Sequence, residues 1–160
     1  MTRKRARATL TICRGLPGSG KTWWARAWLD LVATEGRRGT LARVNRDDLR
    51  AMMFDPAYRH PVEYVEVRVT AAQHAQIRYL LTMGVSVICD DTNLHPDHVL
   101  ALQDLARKCR ADAVIRDFTG VSLETCIARD TQRPQPVGAE VIRDMWRRHL
   151  APRTVEETAR

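Results

Sequence analysis

The chain alternates between short apolar runs and longer stretches in which apolar residues recur every three or four positions. The first pattern predicts strands and the second amphipathic helices. Residues 8–13 (ATLTIC) form a short apolar run, after which Trp23, Trp24, Ala27, Trp28 and Leu31 repeat at helical spacing over 23–32. Gly36-Arg37-Arg38-Gly39 reads as a turn, 40–44 as a second strand, and a helix should follow toward Met53. Residues 54–61 carry two prolines and read as a loop. A long helix is expected over 62–83, with Val65, Val69, Ala72, Ala75, Ile77, Leu80 and Leu81 as candidate buried positions and Gly84 as its stop. Residues 85–89 are the clearest strand. Pro96 opens a further helix with Leu100, Leu102, Leu105 and Ala106 facing inward. A strand at 113–115 follows. Ser122 or Thr119 can cap a helix over 123–130, and a Pro/Gly-rich break at 134–138 precedes a last helix over 140–150. Residues 153–160 read as a frayed tail. Strands alternating with helices predict an α/β fold: a parallel sheet with right-handed crossovers, flanked by helices. Any ligand site belongs at the carboxyl ends of the strands.

Between the first strand and the first helix stands Gly15-Leu16-Pro17-Gly18-Ser19-Gly20-Lys21-Thr22, which fits G-x-x-x-x-G-K-[ST] at every fixed position. Glycines let the backbone curl with its N–H groups aimed at phosphate oxygens. The helix behind adds the positive end of its dipole. In such a loop Gly15, Pro17, Gly18, Ser19 and Gly20 cradle the phosphates of ATP. Lys21 reaches the β- and γ-phosphates, and the Thr22 hydroxyl holds Mg²⁺. Strand and helix flank the motif in the required order, so the chain is expected to bind a nucleoside triphosphate.

Composition narrows the rest. At 160 residues a single domain, 1–160, is expected. No apolar run approaches the roughly 20 residues of a membrane span. The basic start, 1–7, leads into the phosphate loop rather than a secretory signal. Cys13, Cys89, Cys109 and Cys126 lack C-x-x-C spacing and suit reduced thiols in the cytoplasm. His95 and His98 read as a solvated helix start. The net charge of +7 suits a polyanionic partner. Of 26 basic residues only Lys4, Lys21 and Lys108 are lysines, a bias that base composition alone can produce. Individual arginine positions therefore carry more weight than their number.

Phosphoryl transfer also needs a group for the acceptor proton and a cation at the transferring phosphoryl. Asp47, in Asn45-Arg46-Asp47-Asp48, is either that base or, like Asn45, a helix cap. Arg129 and Arg133, four apart, would share one helix face beside the 134–138 break and suit a lid at about 122–138, or else form a solvated face. The strand at 85–89 runs into Asp90-Asp91, the usual place for a metal-positioning carboxylate beside a phosphate loop. Asp90 is thus a metal candidate with Thr22.

From about Thr9 to Leu150 the chain resembles the 5′-kinase domain of the bacteriophage polynucleotide kinase–phosphatase family. The matching elements are Gly15–Ala25 (G-x-P-G-S-G-K-[ST]-x-W-A), Val44–Arg50 (V-N-R-D-D-L-R), Asp91–Pro96 (D-T-N-L-x-P) and R-x-x-x-R at Arg129–Arg133. The resemblance implies an ATP-dependent transfer to 5′-hydroxyl ends of DNA or RNA, as in nucleic-acid end repair, in a cytoplasm that could be a phage host's. It makes Asp47 the general base and places Arg50 on the acceptor phosphate. Asp91, followed by Thr92, would orient Arg50 on the acceptor side, and Arg133 with Arg129 would clamp the donor phosphates. Asp90 stands where the family pattern leads one to expect a neutral residue, and the family's phosphatase half is not expected within these 160 residues. Two other readings share the loop: a small-molecule kinase of nucleotide-sugar or gluconate type, and a nucleotide-gated switch ATPase. Asp47-x-x-Arg50 argues against the switch, which needs no acceptor base. The basic balance and the D-T-N-x-x-P element argue against the small-molecule kinase.

Overall fold

A computed structural model describes residues 7–54 and 62–152. Most of the 54–61 loop and the expected frayed tail lie outside the described residues. In chain order the elements are β1 (Thr9–Arg14), α1 (Lys21–Thr34), β2 (Leu41–Val44), α2 (Arg46–Met53), α3 (Glu63–Thr82), β3 (Ser86–Cys89), α4 (Pro96–Lys108), β4 (Asp112–Asp117), α5 (Leu123–Thr131) and α6 (Ala139–His149). The four strands pair in parallel in the order β2-β3-β1-β4. β1 is therefore central, and the phosphate loop leaves its carboxyl end.

Period-two alternation assigns the two faces of the sheet. Leu10 and Ile12 of β1, Val87 and Cys89 of β3 and Val44 of β2 pack against Val65, Val69, Ile77 and Leu81 of α3 and Leu102 and Leu105 of α4. The intervening Cys13 and Ile88 pack against Ala25 of α1, with Trp24, Leu41 and Phe118 around them. A third cluster joins Leu16 of the loop to Leu94, Cys126 of α5 and Ile142 of α6. That cluster ties α5 and α6 to the loop.

Of the expected buried positions, Ala72 and Leu80 are half-buried and two are exposed. Ala75 is exposed and Leu100 is 60% exposed. The buried stripe of α3 runs at strict four-residue steps, Val65, Val69, Gln73, Ile77, Leu81. The polar Gln73 thus holds a core position that hydrophobicity cannot reveal. On α4 the inward set is Val99, Leu102, Leu105 and Ala106, which turns Leu100 to solvent. β4 is longer than expected and forms an edge of the sheet, exposed throughout.

Candidate phosphoryl-transfer site

Backbone interlocks hold the phosphate loop. The Gly15 N–H donates to the Thr92 carbonyl at 2.9 Å, fastening the loop to the segment after β3. Gly18 has φ +80°, and a Cβ there would lie 2.1 Å from the Cys126 carbonyl oxygen of α5. Only glycine fits. Gly20 caps α1 in the left-handed region, and Arg129 Nη1 lies 3.8 Å from where its Cβ would be. Lys21 is buried, and its Nζ donates to the carbonyls of Gly15 (2.8 Å) and Leu16 (2.7 Å) and to Ser19 Oγ (3.2 Å). Burial lowers its pKa from 10.5 to about 8, against the opposing pull of Asp90.

The two aspartates after β3 divide. Asp90 turns to the loop: its Oδ1 accepts from the Thr22 hydroxyl at 3.3 Å and its Oδ2 from Arg43 Nε at 2.7 Å. Burial raises its pKa and the Arg43 hydrogen bond opposes that rise. Asp91 turns the other way. Its Oδ1 accepts from the Arg46 N–H at 2.9 Å, its Oδ2 accepts from Gln73, and Arg46 Nε lies 3.7 Å from it. Asp91 therefore does not orient Arg50, contrary to the expectation from the resemblance. The partner of Arg50 is Glu66, which takes Nε at 2.7 Å and Nη2 at 2.8 Å in a two-point pair. Thr92 contributes its carbonyl to the loop. The Thr22 hydroxyl and the Asp90 carboxylate offer adjacent hard oxygens, which is the donor chemistry Mg²⁺ takes.

The cap of α2 is Asn45, whose side chain accepts from the Asp48 N–H at 3.1 Å. Asp47 is free of that duty. Its side chain is 84% exposed, and its Oδ1 accepts from Arg50 Nη1 at 2.6 Å. A cleft of about 470 Å³ is lined by Thr22, Arg26, Arg43, Asp47, Asp48 and Arg133 among others. It brings a donor-side hydroxyl, a carboxylate and several guanidinium groups together. Arg133 does not share a helix face with Arg129, because α5 ends at Thr131. Arg133 stands in the turn beyond, 3.5 Å from the buried Asp130, whose Oδ2 also accepts the Gly138 N–H at 2.9 Å. Asp130 thereby pins both ends of the turn between α5 and α6.

Sequence reasoning missed Arg43, Glu66, Gln73 and Asp130. Arg43 left a signal, an arginine inside a strand. Glu66 reads only as an acidic residue in a first helical turn, and Gln73 and Asp130 left none.

The family model described as an AAA domain matches residues 10–152. The chain belongs to this family. Solved structures place its fold among phosphate-loop kinases. A chain of the Pnkp1/Rnl/Hen1 RNA repair complex aligns with a TM-score of 0.72 and 24% identity over 99% of this chain and 52% of that one. A second structure of the Pnkp1/Rnl/Hen1 complex gives 0.67 and 27% identity over 84% and 43%. The AAA-domain chain thus spans about half the length of those relatives. The APS kinase CysC of Mycobacterium tuberculosis, in complex with AMPPNP and APS, aligns at 0.65 and 17% identity over 79% and 70%. Among the described residues no helix is long and apolar enough to cross a membrane.

Proposed function

We propose that this chain is an ATP-dependent polynucleotide 5′-hydroxyl kinase acting on DNA or RNA ends. The observation that carries the reading is the shared cleft: Thr22 of the donor loop, Asp47 and Arg133 line one space. Asp47 Oδ takes the proton of the 5′-hydroxyl, and the oxygen attacks the γ-phosphorus as the bond to the bridging oxygen breaks and ADP leaves. Lys21, Arg129 and Arg133 stabilise the charge on the phosphates. Thr22 and Asp90 would hold Mg²⁺, whose charge would offset that of the nucleotide phosphates. Arg50 exchanges Glu66 for the acceptor phosphate next to the hydroxyl. An exposed Asp47 at an open rim suits the end of a polymer better than an enclosed metabolite. The RNA repair complex among the structural relatives supports the same substrate class.

The test is radiolabelled ATP with a panel of acceptors. A 5′-hydroxyl oligonucleotide and a nucleoside 3′-monophosphate should be labelled, and a bare nucleoside should not. Equal labelling of a nucleoside and its 3′-monophosphate would indicate a small-molecule kinase, and ATP hydrolysis without any acceptor a switch.

A further inference from the structure

A second, smaller pocket of about 160 Å³ is lined by Arg46, Thr70, Gln73, His74, Asn93 and His98 among others. Three helices build it. Arg46 opens α2, Thr70, Gln73 and His74 lie along α3, and His98 lies in the first turn of α4. Its position relative to Arg50 follows from helix geometry. Arg46 and Arg50 are four apart on α2, which puts their Cβ atoms roughly 5–6 Å apart on one face. Both turn to the same side of α3: Arg50 to Glu66, Arg46 to the pocket beside Thr70 and His74. Glu66, Thr70 and His74 are themselves four apart. A row therefore runs along the α2–α3 seam, with one cationic position at Arg50 and another one helical turn away.

We propose that the Arg46–His74–His98 pocket is a second phosphate subsite, taking the phosphodiester that follows the one held at Arg50. This rests on the polynucleotide kinase reading and extends it from an end-recognising to a strand-tracking acceptor site. Successive phosphates rise about 3.4 Å along a duplex strand and farther apart when the strand is extended, so one helical turn is within their reach. Its polar groups include donors of the right kind: a guanidinium, two imidazoles and the Thr70 hydroxyl, while the Gln73 and Asn93 amides already donate to Asp91, Cys89 and Cys13.

Charge in the pocket is conditional. Arg46 is offset by Asp91, 3.7 Å away, so the guanidinium alone leaves little net positive charge. The imidazoles decide the balance. Burial, then Arg78, Arg46 and His98, push the His74 pKa below 6.5. Partial desolvation, then Arg46 and His95, do the same to the largely exposed His98, opposed by Asp91 and Asp97. Both imidazoles are therefore mostly neutral at neutral pH, and a bound phosphate favours their charged forms. Occupancy should tighten as pH falls.

The experiment uses the whole chain and trinucleotide acceptors with a free 5′-hydroxyl, whose second linkage is either a phosphodiester or a neutral methylphosphonate. Neither linkage titrates between pH 6 and 8.5, so any pH effect on their difference belongs to the protein. At pH 6 the phosphodiester should have a KM about tenfold lower, the low end for hydrogen bonds to charged groups. At pH 8.5 the advantage should shrink to about two- to threefold, with Arg46 alone charged. His74→Gln with His98→Gln should flatten that pH dependence while the nucleoside 3′-monophosphate is still labelled. Equal KM values for the two trinucleotides at pH 6 would overturn the subsite and leave the kinase reading standing. An unchanged pH dependence in the double variant would also overturn it. Failure to label any oligonucleotide or the 3′-monophosphate would sink the kinase reading, and the subsite with it.

Discussion

Thr22 and Asp47 line the same cleft, yet the two sides are held by different physics. On the donor side the fixing contacts are backbone contacts: Gly15 N–H to Thr92, and Gly18 pressed under the Cys126 carbonyl. Lys21 is 7% exposed there and bonded to its own loop. On the acceptor side the fixing contacts are ion pairs between side chains: Asp47 with Arg50, Arg50 with Glu66, Arg43 with Asp48. A backbone cradle is formed before any ligand arrives, and it recognises what every triphosphate shares. On the proposed function, exchangeable ion pairs would let an acceptor phosphate replace a carboxylate without unfolding anything. The contrast predicts that acceptor-side variants separate activity from stability.

The largest expected effect belongs to the group that bridges the two sides. Arg133, in the turn after α5, lines the cleft with Asp47, and an arginine at a transferring phosphoryl is worth roughly 10³–10⁵ in rate where it acts as a finger. Arg133→Ala should lose that much kcat. Its guanidinium is also the cation beside the buried Asp130, so melting temperature should fall somewhat as well, and the loss is read from kcat of the folded protein. A loss below about tenfold would return Arg133 to a solvated surface role.

Next comes Asp47→Asn. With Asn45 as the cap, the substitution leaves the start of α2 intact, so its effect reads proton transfer. Turnover should fall by roughly 10²–10⁴ with an unchanged melting temperature. An active Asp47→Asn protein would remove the general base from the mechanism.

The same contrast explains what the sequence made legible. Backbone cradles have a spacing signature, because glycine is favoured where φ is positive and required where another segment leaves no room for a Cβ, as at Gly18. The loop, its strand and its helix were therefore readable from residues 8–32. Side-chain partnerships across elements have no such signature. Asp90 and Asp91 are neighbours, but successive residues at a strand end point to opposite sides, so only the structure assigns Asp90 to Thr22 and Asp91 to Arg46 and Gln73. Glu66 becomes the partner of Arg50 only because α3 packs beside α2. The end of α5 before Arg133 was foreshadowed, since Pro134 disfavours helical backbone in the residue before it. The four-residue spacing of Arg129 and Arg133 suggested a shared face that the helix does not reach.

The smallest effect sharpens the donor side. Lys21 has a lowered pKa of about 8 because its ammonium is buried, although Asp90 lies nearby. Nucleotide phosphates supply the missing negative charge and restore the protonated form. The free protein thus has a proton to take up on binding ATP above pH 8, and the proton count sets the sign: affinity falls as pH rises. The expected slope is about tenfold per pH unit above 8, since one unit is 1.36 kcal/mol between the two protonation states. Equilibrium binding of a non-hydrolysable ATP analogue between pH 7 and 9.5 measures it. Thermal melting is a poorer readout. The depressed Lys21 pKa makes the folded state gain stability as pH rises from 8 toward 10.5. The buried Cys13 thiol, raised to about 12, works in the opposite direction over the range where an unfolded thiol ionises. An analogue affinity that stayed flat to pH 9.5 would mean that the loop carbonyls of Gly15 and Leu16 keep Lys21 charged without phosphate. The donor cradle would then be electrostatically complete before ATP arrives.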